Sequence, residues 1–78
     1  MITDPISALV NRARQLLGVA DGSIIDRVAI EQAVMDDAPV ISRRTGHQFT
    51  DDELAEAIRR LETVFVVEQG RALFLTDQ

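Results

Sequence analysis

His47 is the only histidine in this chain, with Ser42 five residues before it and Asp51 four residues after it. A hydroxyl, an imidazole and a carboxylate are the parts of a nucleophile, its base and the group that orients the base. Their spacing argues against that use. All three fall around one turn with no flanking segment to build a pocket, so His47 reads as a loop residue making local hydrogen bonds. Zinc is no better supplied, because one histidine and no cysteine cannot fill a tetrahedron of ordinary ligands. The carboxylate pairs Asp36-Asp37 and Asp51-Asp52 imitate an acid–base couple, but both fall where helices are expected to end or begin, and acids are ordinary there. There is no glycine-rich loop to cradle a phosphate. The chemistry expected is therefore non-catalytic, with no catalytic residue, cofactor, metal or small-molecule substrate; an enzyme fragment is a remote alternative.

The basic residues are the other candidates. Arg43, Arg44, Arg59 and Arg71 could contact a nucleic-acid backbone, and every base in the chain is an arginine. They work against thirteen acids, eight bases and a net charge of −5, with a sequence pI near 4.6. Such a chain has no diffuse hold on phosphate, so any nucleic-acid contact would need a local patch acting against the overall field.

Seventy-eight residues suit one small domain, 1–78, near the size where a single core is barely sufficient. Without cysteine no disulfide can supplement that core. The 46% apolar content supplies it instead and rules out a disordered chain, while the apolar runs are too short to span a bilayer. No basic stretch precedes the apolar residues of "MITDPISALV", so no secretory leader is expected and the cytoplasm is the expected location. The chain stops soon after its last expected strand, as an excised N-terminal module of a longer protein would.

Local signals divide the chain into helices and strands. Asp4 and Pro5 open a helix over 5–17, whose stripe is Ile6, Leu9, Val10, Ala13, Leu16 and Leu17, with Gly18 as its stop. Ser23 and Asp26 suggest a capping box for a helix over 24–36, ended by Pro39, although "SII" could be a short strand instead. The apolar set of that helix (Ile25, Val28, Ala29, Ile30, Ala33, Val34, Met35) is too wide for one buried stripe, so burial on more than one side is expected. A short helix over 39–45 closes at Gly46, and Thr50 with Glu53 caps a helix over 51–62 whose stripe is Leu54, Ala57, Ile58 and Leu61. Its first turn carries Asp51, Asp52 and Glu53 and its last Arg59 and Arg60, as the helix dipole prefers. Two strands, 64–68 and 72–76, would then form a hairpin through Gln69, Gly70 and Arg71. Both faces of that hairpin are apolar: Val64, Phe65, Val66 and Val67 on one strand, Leu73, Phe74 and Leu75 on the other. The helices can cover one face, so these seven residues are the candidate interface with a second copy or a neighbouring domain.

Helices followed by a hairpin make the chain resemble the winged helix-turn-helix superfamily, and residues 39–76 carry the resemblance. "VISRRTG" is similar to the first helix of the motif with Gly46 in its turn, and "DDELAEAIRRLE" to its recognition helix. Gly70 and Arg71 would then lie at the wing tip. The resemblance implies a mainly α fold with a C-terminal β-hairpin, and it implies DNA. Carried over by position, the residues aimed at a groove are Asp51, Asp52, Ala55, Glu56 and Arg59, of which only Arg59 suits a guanine edge or a phosphate. The preferred expectation is therefore a non-catalytic winged-helix module for protein contact, self-association or docking, in a DNA-processing or regulatory assembly. A DNA-binding regulator domain is the alternative. On this reading mixed-sequence duplex DNA at ~100 mM salt binds more weakly than ~100 μM, and Asp52→Arg with Glu56→Arg strengthens binding. A fluorescence anisotropy titration checks both; nanomolar binding that falls steeply with salt favours the regulator.

Overall fold

A carboxylate in front of a proline starts the first helix. In the computed structural model, which describes residues 4–68, Asp4 accepts from the Ser7 N–H at 3.0 Å and from the Ser7 hydroxyl at 2.8 Å. These two bonds favour the ionised carboxyl and hold Asp4 below the usual carboxylate range. Helix α1 (Pro5–Leu17) follows, and Gly18, at φ 68°, closes it by donating its N–H to the Arg14 carbonyl. The remaining elements are β1 (Ile24–Asp26), α2 (Arg27–Thr45), α3 (Asp51–Val64) and β2 (Val66–Glu68). The three helices pack against one another, and β1 pairs with β2 in a two-stranded parallel sheet in which Ile24 faces Val66 and Asp26 faces Glu68. The described chain is thus mainly helical with a short parallel sheet.

Three boundaries differ from the sequence expectations, each for a tertiary reason. The helix expected over 24–36 begins three residues late, because Ile24 and Ile25 are in a strand. Ser23 is not its cap; its carbonyl accepts the Val66 N–H at 2.9 Å, and Asp26 caps α2 by accepting from the Val28 N–H at 2.9 Å. The two isoleucines suit an extended backbone once Val66 and Val67 are there to pair with.

Secondly, Pro39 does not separate a 24–36 helix from a 39–45 helix. Both are parts of α2, and Pro39 lies inside it. An interior proline costs roughly 3 kcal/mol, yet the chain on both sides of it is anchored. Val34 and Ile41 are buried in the core, and Asp37, only 2% exposed, is held by Arg12 of α1. Burying two large aliphatic side chains contributes about 3–6 kcal/mol, enough to offset the proline.

Thirdly, α3 runs to Val64 rather than 62, so the strand starts at 66 rather than 64. Its last turn therefore carries no basic residue; Arg59 and Arg60 both bond Glu56 instead. Phe65 leaves the helix in an extended conformation and is buried at 4% exposure. The second strand, 72–76, and its turn lie outside the described residues.

The core lies where the helices meet: Leu9, Val10 and Ala13 of α1, Ile30, Ala33, Val34 and Ile41 of α2, Ala57 and Leu61 of α3, and Phe65. One small alanine per helix sits in this cluster. Leu16, expected in the α1 stripe, is exposed instead.

Asp37 is the one charged side chain buried among the described residues, so the two ends of its ion pair are not equivalent. The Arg12 Nε lies 3.1 Å from Oδ2 and its Nη2 3.2 Å from Oδ1. Arg12 is partly open to water and can rehydrate alone; Asp37 cannot. Arg12→Ala is accordingly expected to destabilise the fold more than Asp37→Ala. The latter should cost about 1.5–3 kcal/mol, the worth of a hydrogen bond to a charged group. Urea denaturation at constant slope reads the order of the two.

Candidate interaction surface

The seven expected interface residues separate by element. Val64 ends α3 half-buried against the core, Phe65 is buried, and Val67 is half-buried. Val66 alone of these four is open, at 54% exposure, and its register partner Ile24 is 71% exposed. Side chains alternate along a strand, so the sheet turns Ile25 and Val67, each half-buried, inward against the core and presents Ile24 and Val66 outward as a cross-strand pair. Leu73, Phe74 and Leu75 lie outside the described residues.

A second apolar surface lies between α2 and α3. At about 100° per residue, Val28 and Met35 fall on one side of α2 and Asp37 roughly opposite. Val28 is 55% and Met35 51% exposed. These two are the surplus in the over-wide apolar set of 24–36: the width was a legible signal, and its meaning was an open face, not extra burial. Two depressions adjoin at Met35. One, about 570 Å³, is lined by Val28, Glu31, Gln32, Met35, Asp36 and Ile58. The other, about 520 Å³, is lined by Met35, Pro39, Phe49 and Leu54 together with the polar Ser42 and Arg43. Together they form a groove with an apolar floor, the carboxylates of Glu31 and Asp36 beside one half and Arg43 beside the other. The sequence places Leu54 and Ile58 in the apolar stripe of α3; the structure packs both against the core and leaves each partly open to this groove.

Among the described residues the candidate arginines fall on two helices. Arg43 and Arg44 are exposed in the last turn of α2, where they complement its dipole, and neither makes an ion pair among the described residues. Arg59 and Arg60 share Glu56, with Arg60 Nε 3.1 Å from its carboxylate. Arg71 lies outside the described residues. Asp51 and Asp52 stand exposed at the head of α3.

His47 sits in the α2–α3 connection and bonds locally. Its Nε2 is 2.9 and 3.0 Å from the two Glu53 oxygens, and its ring meets Phe49 edge-on at 5.1 Å. The Ser42 hydroxyl donates to the His47 main-chain carbonyl, not to its ring. A base that is to take the serine proton needs a ring nitrogen there. Among the described residues there is no cluster of three or more metal-ligating side chains, and no helix long and apolar enough to cross a membrane. Comparison with known proteins finds no matching family model, no similar curated protein and no similar solved structure.

Glu53 joins these contacts to the start of α3. Its carboxylate accepts the Thr50 N–H at 2.9 Å while Thr50 Oγ1 accepts the Glu53 N–H, a complete capping box. The Thr50 N–H, and after it the His47 ring, hold the Glu53 carboxyl below its ordinary value of 4.5. A depressed carboxylate pKa gives stability that is present above 4.5 and lost as pH falls through the lower folded value. Glutamine keeps the cap acceptor but not the charge. Glu53→Gln should therefore be less stable than the parent at pH 7, with the gap closing in acid below the Glu53 pKa. Paired urea titrations at the two pH values check it.

Proposed function

We propose that this chain is a non-catalytic module of winged-helix type whose task is protein contact, made by the outer face of its small sheet. The observation that carries the reading is the pairing of Ile24 with Val66: two large aliphatic side chains, adjacent and in register, left mostly in water. A chain this small gains stability from every apolar group it buries, so an exposed pair next to a half-buried one (Ile25 with Val67) is surface held for another molecule. The element order, a helix, a strand, two helices and a strand, supports the winged-helix type. The acids at the head of α3, and the pairing of Arg59 with Glu56, speak against that helix as a DNA reader. The partner is a second copy or a neighbouring domain.

Covering such a pair should contribute at least about 1.5 kcal/mol per side chain, close to a factor of ten in affinity. Sedimentation velocity should find the chain self-associating, with Ile24→Lys and Val66→Lys each weakening that association about tenfold or more at unchanged helical circular dichroism. A monomer whose two lysine variants are no more soluble than the parent would end this reading.

A further inference from the structure

The depression beside Pro39 suits an aromatic guest of a kind that the chain itself does not contain. We propose that it binds the indole of a tryptophan on a partner protein, with a carboxylate next to that tryptophan held by Arg43. Three observations on α2 and the α2–α3 connection carry this.

The first is a hydrogen bond that α2 does not make. An interior helical carbonyl accepts from the N–H four residues on, and Pro39 has no N–H to give the Met35 carbonyl. Met35 and Pro39 lie about one turn apart on the exposed side of α2 and line the same depression. An acceptor without its helical donor is thus set in an apolar hollow, where it fits a guest with a large apolar body and one N–H. The neighbouring Ser42 hydroxyl is no donor to it, being committed to the His47 carbonyl.

The second is the lining. A thioether (Met35), a pyrrolidine ring (Pro39), a phenyl ring (Phe49) and a guanidinium (Arg43) surround about 520 Å³. Sulfur and guanidinium both favour contact with aromatic rings, and a second ring packs well against the first. Phe49 is already held in place, edge-on to His47 at 5.1 Å, while the His47 ring nitrogen is fixed by Glu53.

The third is charge. Arg43 is the one charged residue lining this depression, and it makes no ion pair among the described residues. A carboxylate beside the indole complements it. The guest is not a second copy: the sequence has neither tryptophan nor tyrosine, and its three phenylalanines have no side-chain N–H to donate. The site is therefore separate from the contact proposed for Ile24 and Val66.

The test uses the intact chain and N-acetyltryptophan, followed by amide NMR spectra at low salt. Saturable shifts should appear at Met35, Phe49 and Leu54 with a Kd of about 1 mM, the scale of one buried aromatic side chain and one hydrogen bond. N-acetyltryptophanamide, which lacks the carboxylate, should bind about threefold more weakly. N-acetyl-1-methyltryptophan, which lacks the indole N–H, should bind about three- to tenfold more weakly. Pro39→Ala returns the helical N–H, so this variant should unfold at higher urea and yet bind the methylated and unmethylated indoles equally. Arg43→Gln should erase the advantage of the carboxylate alone. Met35→Glu, at an exposed position, should abolish binding while the helical circular dichroism is retained. Three results would overturn the proposal: no saturable shift up to ~10 mM probe, shifts that lie away from the depression, or a Pro39→Ala variant that keeps the preference for the N–H. Ile24→Lys should bind the probe as the parent does, and Pro39→Ala should sediment as the parent does, so failure of one proposal is distinguishable from failure of the other.

Discussion

A carboxylate taken out of water has to be met by charge, and in this fold that requirement falls on Asp37. Among the described residues Arg12 alone meets it, through both Nε and Nη2. The pair links the middle of α1 to the middle of α2 and so fixes which side of α2 faces α1. It also holds the chain two residues before Pro39, while Ile41 is held in the core two residues after it. α2 therefore stays one helix through a residue that would otherwise end it, and one long helix carries Val28, Met35 and Pro39 along its far side. Two shorter helices would not have shared that side. The outer groove exists because an inner charge is satisfied.

The remaining charges are largely settled between neighbours. Arg14 meets Asp21 at 2.7 Å, Arg27 lies between Glu31 and Glu62, and Glu56 serves both Arg59 and Arg60. Pairs this exposed contribute little to stability. Their effect is on what the arginines are free to do, since a guanidinium already engaged with a carboxylate has less to offer a phosphate. Among the described residues Arg43 and Arg44 have no ion-pair partner, and they end one helix while Asp51 and Asp52 begin the next. Opposite charges there answer opposite helix ends, and neither group forms a uniform patch.

What could be read from the sequence was whatever is settled within a few residues. The Asp4 and Thr50–Glu53 caps, the Gly18 and Gly46 stops and the local bonding of His47 involve partners no more than six positions apart, and residue type alone carries them. Pro39 and "SII" were misjudged for the opposite reason. A proline breaks a helix by local preference, and the groups that override it come from α1 and the core. Ile24 and Ile25 fit either helix or strand until Val66 and Val67 arrive from the far end of the chain. Of the candidate contact residues, Val66 was legible as apolar, but its exposure and the burial of Phe65 depend on where α3 ends. The groove was legible only as an excess: seven apolar positions where one stripe needs fewer.

The parallel pairing of β1 with β2 has a consequence for the order in which this fold assembles. Its two strands flank the whole of α2 and α3, so no short loop brings them together. The helices form from neighbouring residues and can pack early, whereas Ile24 and Val66 must wait for the long intervening segment to be ordered before the entropy of closing it falls. During synthesis Val66 is also the last of the two to leave the ribosome, with both helices already made. Among the described residues the strand pair is thus the latch of the fold: the last contact to close, and, with three residues a side, the first to fray when the strands open.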